Sequence, residues 1–405
     1  MHNSAEMNFK ISKKNDMMFF FLLTFLYVSF YLPMGSAIPT LALLGYYLIK
    51  NKFKVFFKIS FFVVYCISFA LFCYLSYFWA KDTYYVMLYA NHILKSMFGM
   101  MVIYLCVQKK PAIDLMLKVI VWGGYVIMFN MIAFYGINGL ISMLNEAERM
   151  TNDLMNANQF ALCISYALVI HAFFGIEERW TFAHLLMIPA ALLLAVSGSR
   201  KGLIVLIGGV LCLTVLTIWK KEHSIKAILK IILGVLFVGA GFVLVLNLPA
   251  FRVIKERMEN FFVLLSGDSN VDKSLITRSS FIEIGWSIFK KYPLLGVGID
   301  NARLYNYRNV YLHNNFIEML ADGGLVGFSI YYSLYVYLFV GYFKTRKTKS
   351  KYYAVCFVLL IFMTMIHYAF VAYKVSGEYY MLLLCYMQLK QSKANDSSSG
   401  LEAPA

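Results

Sequence analysis

The chain has 405 residues, of which 61% are hydrophobic and only 14% charged, against about 45–50% and about 25% in an ordinary soluble domain. With a mean hydropathy of +0.67, this excludes a soluble globular enzyme, a fibrous chain and a disordered one. The formal net charge of +16 would suggest nucleic acid in a soluble protein, but in a membrane protein the side on which the cations lie decides its meaning.

Lys10, Lys13 and Lys14 precede the first apolar run, 17–32. No small-residue cleavage site follows, so the run reads as an uncleaved first span. Pro33 and Pro39 make a tight hairpin with the second run, 35–49. Further runs fall at 59–80, 84–107, 115–135, 154–175, 181–197, 202–219, 227–248, 314–343, 352–373 and 376–389. A spanning helix needs about 20 apolar residues, so the pattern predicts an all-α integral membrane protein of about 12 transmembrane helices. Residues 1–396 form one polytopic domain, and the Ser-rich tail 397–405 reads as a linker outside it. The seven cysteines form no CxxC pair, so neither a disulfide framework nor a zinc site is implied.

Alternating the runs across the bilayer sorts the charge. With the N-terminus inside, the inner segments hold 22 of the 37 lysines and arginines. The short outer segments hold only Lys81, Lys95, Arg149, Arg200, Lys201 and Lys374, and the remaining nine lie in the long segment 249–313. Long loops do not count towards the positive-inside rule. Both termini are therefore expected in the cytoplasm, and most of the +16 is topology.

The segment 249–313 faces outward and is expected to form a layer rather than a core. Phe251, Ile254, Met258, Phe261, Phe262 and Leu265 recur at helical spacing opposite Arg252, Lys255, Glu256 and Glu259, the pattern of an amphipathic helix on a membrane surface. A polar loop, 266–275, follows. A second helix is predicted over Ser279–Lys291, stopped by Pro293, and Gly296-Val297-Gly298 reads as a turn.

Polar groups near the membrane are costly and mark function. Three outer clusters qualify. Ser197-Gly198-Ser199-Arg200-Lys201-Gly202 joins two spans with adjacent cations and glycines that permit close backbone approach to a ligand. The arginine fork suits phosphate oxygens, although the same loop reads equally as cations snorkelling to lipid headgroups. Arg278, in Thr277-Arg278-Ser279-Ser280, opens the predicted loop helix, where anions are favoured; a lone loop arginine is as readily just solvated. His313, at the mouth of the span beginning at Asn314, can serve as a general base or simply be structural. Glu318, five residues on, lies too far round a helix to pair with it, and Gly323-Gly324 breaks the span. Lys95 with His92, and Asn156 with Asn158, are secondary candidates for sugar or phosphate contact, or for interhelical glue. The sequence has no Walker A, GxGxxG or HExxH motif and no outer-loop DxD, and its histidines form no metal constellation.

The order of these clusters resembles the bacterial O-antigen ligase and O-antigen (Wzy-type) polymerase superfamily. It runs from the Ser-Gly-Ser-Arg-Lys-Gly loop through Arg278, Phe281-Ile282-Glu283-Ile284-Gly285-Trp286, Pro293 and Gly296-Val297-Gly298. It ends in Leu312-His313-Asn314-Asn315-Phe316-Ile317-Glu318 and Gly323-Gly324-Leu325-Val326-Gly327. The resemblance implies a GT-C-like, metal-independent, inverting glycosyltransferase without a cofactor in the bacterial inner membrane, its active site on the periplasmic face. The donor would be a glycan on undecaprenyl diphosphate, and the acceptor a lipid-linked repeat unit (polymerase) or the lipid A core (ligase). A chain-length regulator would be a further partner, and nucleic acid would not. Arg200 and Arg278 match the family's lipid-diphosphate arginines, His313 its histidine at the reacting centre, and Lys95 a basic position on the fourth span. Lys201, Ser199, Asn156, Asn158 and Asn314 complete the expected substrate contacts. Polymerase is the first reading, ligase the second. A lipid or glycan transporter is the third, weakened by spans that are mostly apolar at mid-depth.

Overall fold

A computed structural model describes residues 14–32, 34–109, 112–145, 155–221, 273–346 and 350–399, with single positions between these ranges. The described residues contain helices and connecting loops and no strand. The α-helices are α1 (Lys14–Ser29), α2 (Ala37–Lys50), α3 (Phe61–Leu75), α4 (Thr83–Val107), α5 (Ile113–Asn145), α6 (Ala157–Glu177), α7 (Met187–Val196), α8 (Arg200–Lys221), α9 (Lys273–Lys291), α10 (Asn315–Lys344), α11 (Tyr353–Ile366) and α12 (Ser376–Ser399). Six stretches, Phe61–Phe78, Thr83–Val107, Ile113–Met143, Ala157–Glu177, Arg200–Ile218 and Asn315–Lys344, are long and apolar enough to cross a membrane. Met17–Ser29, Ala37–Lys50, Phe182–Val196 and Tyr353–Ile366 are shorter apolar helices. The protein is thus a helical membrane protein. The apolar run 227–248 and the amphipathic stretch 251–265 lie outside the described residues.

One expected break is present, and two boundaries depart from the sequence reading. The long run 314–343 is one helix by hydrogen bonding, but Gly324 (φ 59°, ψ −161°) breaks it. The run 352–373 is helical only to Ile366, and 367–375 is a turn. Nothing local marks that turn, because its fold is imposed from α10: Asn315 Oδ1 accepts the amides of Ala372 (2.9 Å) and Tyr373 (3.0 Å), and the Asn315 amide bonds the His367 carbonyl at 2.7 Å. One asparagine thereby replaces helical hydrogen bonds and ties the turn to the head of α10. Lastly, α12 runs on to Ser399, into the segment read as a linker.

The break in α10 is filled by the loop that precedes it. The amides of Val297 and Gly298 bond the carbonyls of Ala321 (3.0 Å) and Asp322 (2.9 Å), and the amides of Leu325 and Val326 bond the carbonyls of Pro293 (2.8 Å) and Leu294 (3.1 Å). Groups orphaned by the kink are thus satisfied by chain from outside the helix. This exchange needs glycine. A Cβ on Gly296 (φ +64°) would lie 2.4 Å from the Asp322 carbonyl carbon, and one on Gly324 would lie 2.4 Å from that of Leu294.

The described part of the loop also has a small core of its own. Phe281 and Ile288 of α9 pack with Val297, Ala302, Leu312 and Ala321. A Cβ on Gly285 would meet Ile317 at 2.2 Å, so α9 lies directly against the first turn of α10. The turn after α3 clasps the same loop: Asn301 and Asp82 exchange two hydrogen bonds, at 2.8 and 3.0 Å.

Candidate active site

His313 sits where the loop enters α10. Its backbone is left-handed, φ 61°, a conformation uncommon outside glycine and one that needs support on both sides. Before it, the Leu312 amide donates to Glu318 Oε2. After it, Asn314 caps α10, its Oδ1 accepting from the amides of Phe316 (3.0 Å) and Ile317 (3.1 Å). The imidazole stacks on Phe281 (centroids 6.0 Å apart, 11° between planes) and packs against Tyr311 at 4.3 Å.

Arg278 is one turn before Phe281 on α9, so the helix presents a guanidinium and the ring under His313 on one side. Helix α9 starts at Lys273, not at Ser279, so Arg278 is within its second turn and the expected role at the helix N-terminus is withdrawn. The helix N-terminus near the site belongs instead to α8, which begins with Arg200 and Lys201. Two cations there oppose the helix dipole, an arrangement that an anion would relieve.

Burial, then the charges of Arg278, Lys201, Lys374 and Arg308, push the His313 imidazole down to about 4. The ring is therefore neutral at physiological pH and surrounded by cations. Of the pair that opens α8, Lys201 is among these four; its side chain is buried, and its ammonium lies 5.5 Å from the Phe370 ring.

The other expected contacts divide. Ser199 Oγ donates to Asn158 Oδ1 at 3.1 Å, pinning the α7–α8 loop to the start of α6. Asn156 caps α6, its Oδ1 taking the Asn158 amide at 2.9 Å. These oxygens serve the scaffold, as that of Asn314 does. Glycines in the loop are structural too: Gly198 supplies positive φ, and a Cβ on Gly202 would meet Leu194 at 2.6 Å and Ala161 at 2.8 Å. The close approach expected for a ligand is at Gly202 an approach of α6. Lys95 is exposed on α4, while its neighbour His92 bonds the Lys374 carbonyl at 3.0 Å.

Sequence reasoning missed the network beneath the histidine. The Lys374 ammonium is buried and bonds Glu318 at 2.8 Å and also Asp300. Asp300 pairs as well with Arg303 at 3.0 Å. Burial disfavours charge on Lys374, but Glu318, Asp300 and Asp322 outweigh it and hold the ammonium above its ordinary range. Asp322 takes the amides of Asp300 (3.0 Å) and Ala302 (2.8 Å) and the Tyr373 hydroxyl (2.9 Å). Glu318 is thus the hinge between the network and the catalytic candidate: one oxygen holds Lys374, the other the residue before His313. Glu318 and Lys374 were each conspicuous in the sequence, but nothing in it joined them.

These features define a polytopic membrane protein with a neutral histidine among cations at a loop–helix junction. The O-antigen ligase family model matches residues 185–332, a stretch that includes Arg200, Lys201, Arg278, His313 and Asp322. The chain therefore resembles the O-antigen ligase/polymerase superfamily, and the match supports, in general terms, a membrane enzyme of ligase or polymerase type that uses lipid-linked glycans. No curated protein matches the chain.

Proposed function

We propose that this protein is a glycan polymerase of the bacterial cytoplasmic membrane, with about 12 spans in a GT-C-like arrangement, both termini inside and the site on the outer face. The observation that carries the reading is the neutral His313 among Arg278, Lys201, Lys374 and Arg308. An undecaprenyl-diphosphate-linked glycan would place its diphosphate among Arg278, Lys201 and Arg200. The acceptor hydroxyl of a lipid-linked repeat unit attacks the anomeric carbon and its proton passes to His313. The bond from that carbon to the diphosphate oxygen breaks, and the lipid diphosphate leaves. Negative charge grows on the leaving group, and pre-placed cations stabilise it most in the transition state. The displacement is single and inverts the anomeric centre.

The same cations couple binding to catalysis. They depress the proton affinity of His313 while the site is empty of anions. A bound diphosphate neutralises part of their field, so the base strengthens when the donor is present.

Alanine at Arg278, Lys201 or His313, in cells lacking the wild-type gene, is expected to abolish the ladder of surface glycan on a gel. An unchanged ladder in all three would sink the assignment. Ligase is the second reading, favoured by the description of the matched family. Purified protein given lipid-linked glycan and either acceptor separates the two: attachment to lipid A core without chain growth establishes the ligase.

A further inference from the structure

The link between α2 and α3, residues 51–60, is neither helix nor strand. It leaves α2 through two consecutive left-handed residues, Lys52 (φ 50°) and Phe53 (φ 60°), and the Phe53 amide closes back on the Leu48 carbonyl at 2.7 Å. The chain then runs out as Lys54-Val55-Phe56-Phe57-Lys58-Ile59, in which cations and large apolar side chains interleave. Every residue from 52 to 59 is exposed, Phe53 and Ile59 each at 74%.

This exposed link is held in place from below. Gln108, just past the end of α4, is buried: its Oε1 accepts the Lys58 amide at 2.9 Å, and its side-chain amide donates to the Phe56 carbonyl. The Tyr104 hydroxyl donates to the Lys58 carbonyl at 3.3 Å. Two further cations gather at the same spot. The Lys109 ammonium lies 3.5 Å from the centroid of the Phe56 ring, and that of Lys390 on α12 bonds the Gln108 carbonyl at 3.1 Å. Burial, then the charge of Lys58, lowers the proton affinity of Lys390, so Lys58 is near enough to repel it. Among the described residues, no carboxylate pairs with Lys58, Lys109 or Lys390; Asp114 and Glu178, acids of the inner segments, pair with Lys118 and Lys351 instead.

A group of cations without counter-charges, edged by exposed aromatic and aliphatic side chains, matches both parts of one kind of molecule. We infer that this shelf holds an acidic phospholipid of the surrounding leaflet, its headgroup phosphate among Lys58, Lys109 and Lys390 and its upper acyl chains against Phe53, Phe57 and Ile59. A free phosphate would meet the cations but leave the apolar edge in water, so the occupant is a lipid. The shelf lies at the far end of α4 from Asp82, which clasps the loop of the histidine site. Helix α4 has 25 residues, which at about 1.5 Å per residue cross a hydrocarbon core of about 30 Å. The lipid therefore sits on the opposite face from His313, in a contact that does not depend on the proposed function.

The test is native mass spectrometry of the full-length protein released from nanodiscs of equal phosphatidylglycerol and phosphatidylethanolamine. Wild type is expected to retain phosphatidylglycerol in preference, and Lys58→Gln/Lys109→Gln/Lys390→Gln to retain it at least about fivefold less. A control triple, Lys344→Gln/Arg346→Gln/Lys351→Gln, removes as many inner cations elsewhere and is expected to behave as wild type. Phe53→Ser/Phe57→Ser is expected to lower retention with every cation in place, and excess glycerol phosphate is expected not to displace the lipid. No loss in the site triple, equal loss in both triples, full retention in the phenylalanine variant or displacement by glycerol phosphate would each overturn the shelf. Should the site triple fail to fold because Lys390 bonds Gln108, Lys58→Gln/Lys109→Gln decides, since both side chains are exposed.

Discussion

His313 owes its chemistry to neighbours rather than to its own nature. An imidazole ordinarily titrates near pH 6.5, but here burial and four cations push it down to about 4. The sign of the consequence is fixed. A base must be unprotonated, and His313 loses its proton above about 4, so the acid limb of kcat/KM reports the free enzyme near that value. Between pH 8 and about 6, kcat/KM is expected to stay level, and to halve only near pH 4. The acid limb of kcat is expected at higher pH, since the bound diphosphate offsets the cations. An acid limb of kcat/KM centred near the ordinary histidine value would show that His313 is not the titrating base. His313, Arg278 and Lys201 were legible in sequence as candidates because a loop with charged residues at a span mouth is conspicuous. Lys374 and Asp300 were not, since each gains its meaning from partners 56 to 74 positions away.

At the scale of elements, the device that positions the site is the broken helix α10 and the loop 293–298 inserted into the break. The Gly323-Gly324 pair signalled a bend, and the Gly296-Val297-Gly298 stretch signalled a turn. That one fills the other was not readable, because four backbone hydrogen bonds between the segments leave no trace in side-chain pattern. Arg278 shows the opposite failure: the helix that carries it begins at Lys273, six residues before the predicted start at Ser279. Gly296→Ala is expected to cost about 2–4 kcal/mol, from the positive φ and the approach to the Asp322 carbonyl. It would also displace the strap that fills the break in α10. Gly45→Ala, in helix α2 with open space around its Cα, is expected to be neutral or stabilising by up to about 1 kcal/mol. Thermal unfolding of the purified variants, followed by fluorescence, checks the contrast. Equal midpoints would mean that the inserted strap does not bear on stability.

Across the whole molecule, the sequence foretold a helical membrane protein because apolar composition leaves no other means of satisfying the backbone in lipid. Span count was less accessible: runs such as 35–49, 181–197 and 352–373 are shorter as helices, at 10 to 17 residues, than the bilayer requires of an upright helix. Charge supplies the orientation that length alone does not. Twenty-two cations in the segments assigned to the inside, against six in the short outer ones, are the ground on which we propose the outer face for the loop of α9 and the turn bearing Lys374. Lys290, at the exposed end of α9, and Lys351, at the exposed start of α11, should then lie on opposite sides. In a cysteine-free background, Lys290→Cys is expected to react in intact spheroplasts with a membrane-impermeant maleimide, and Lys351→Cys only after permeabilisation. Reversed labelling would place the histidine site in the cytoplasm. There it could not meet a glycan already carried to the outer leaflet, and the polymerase and ligase readings would fall together with the orientation.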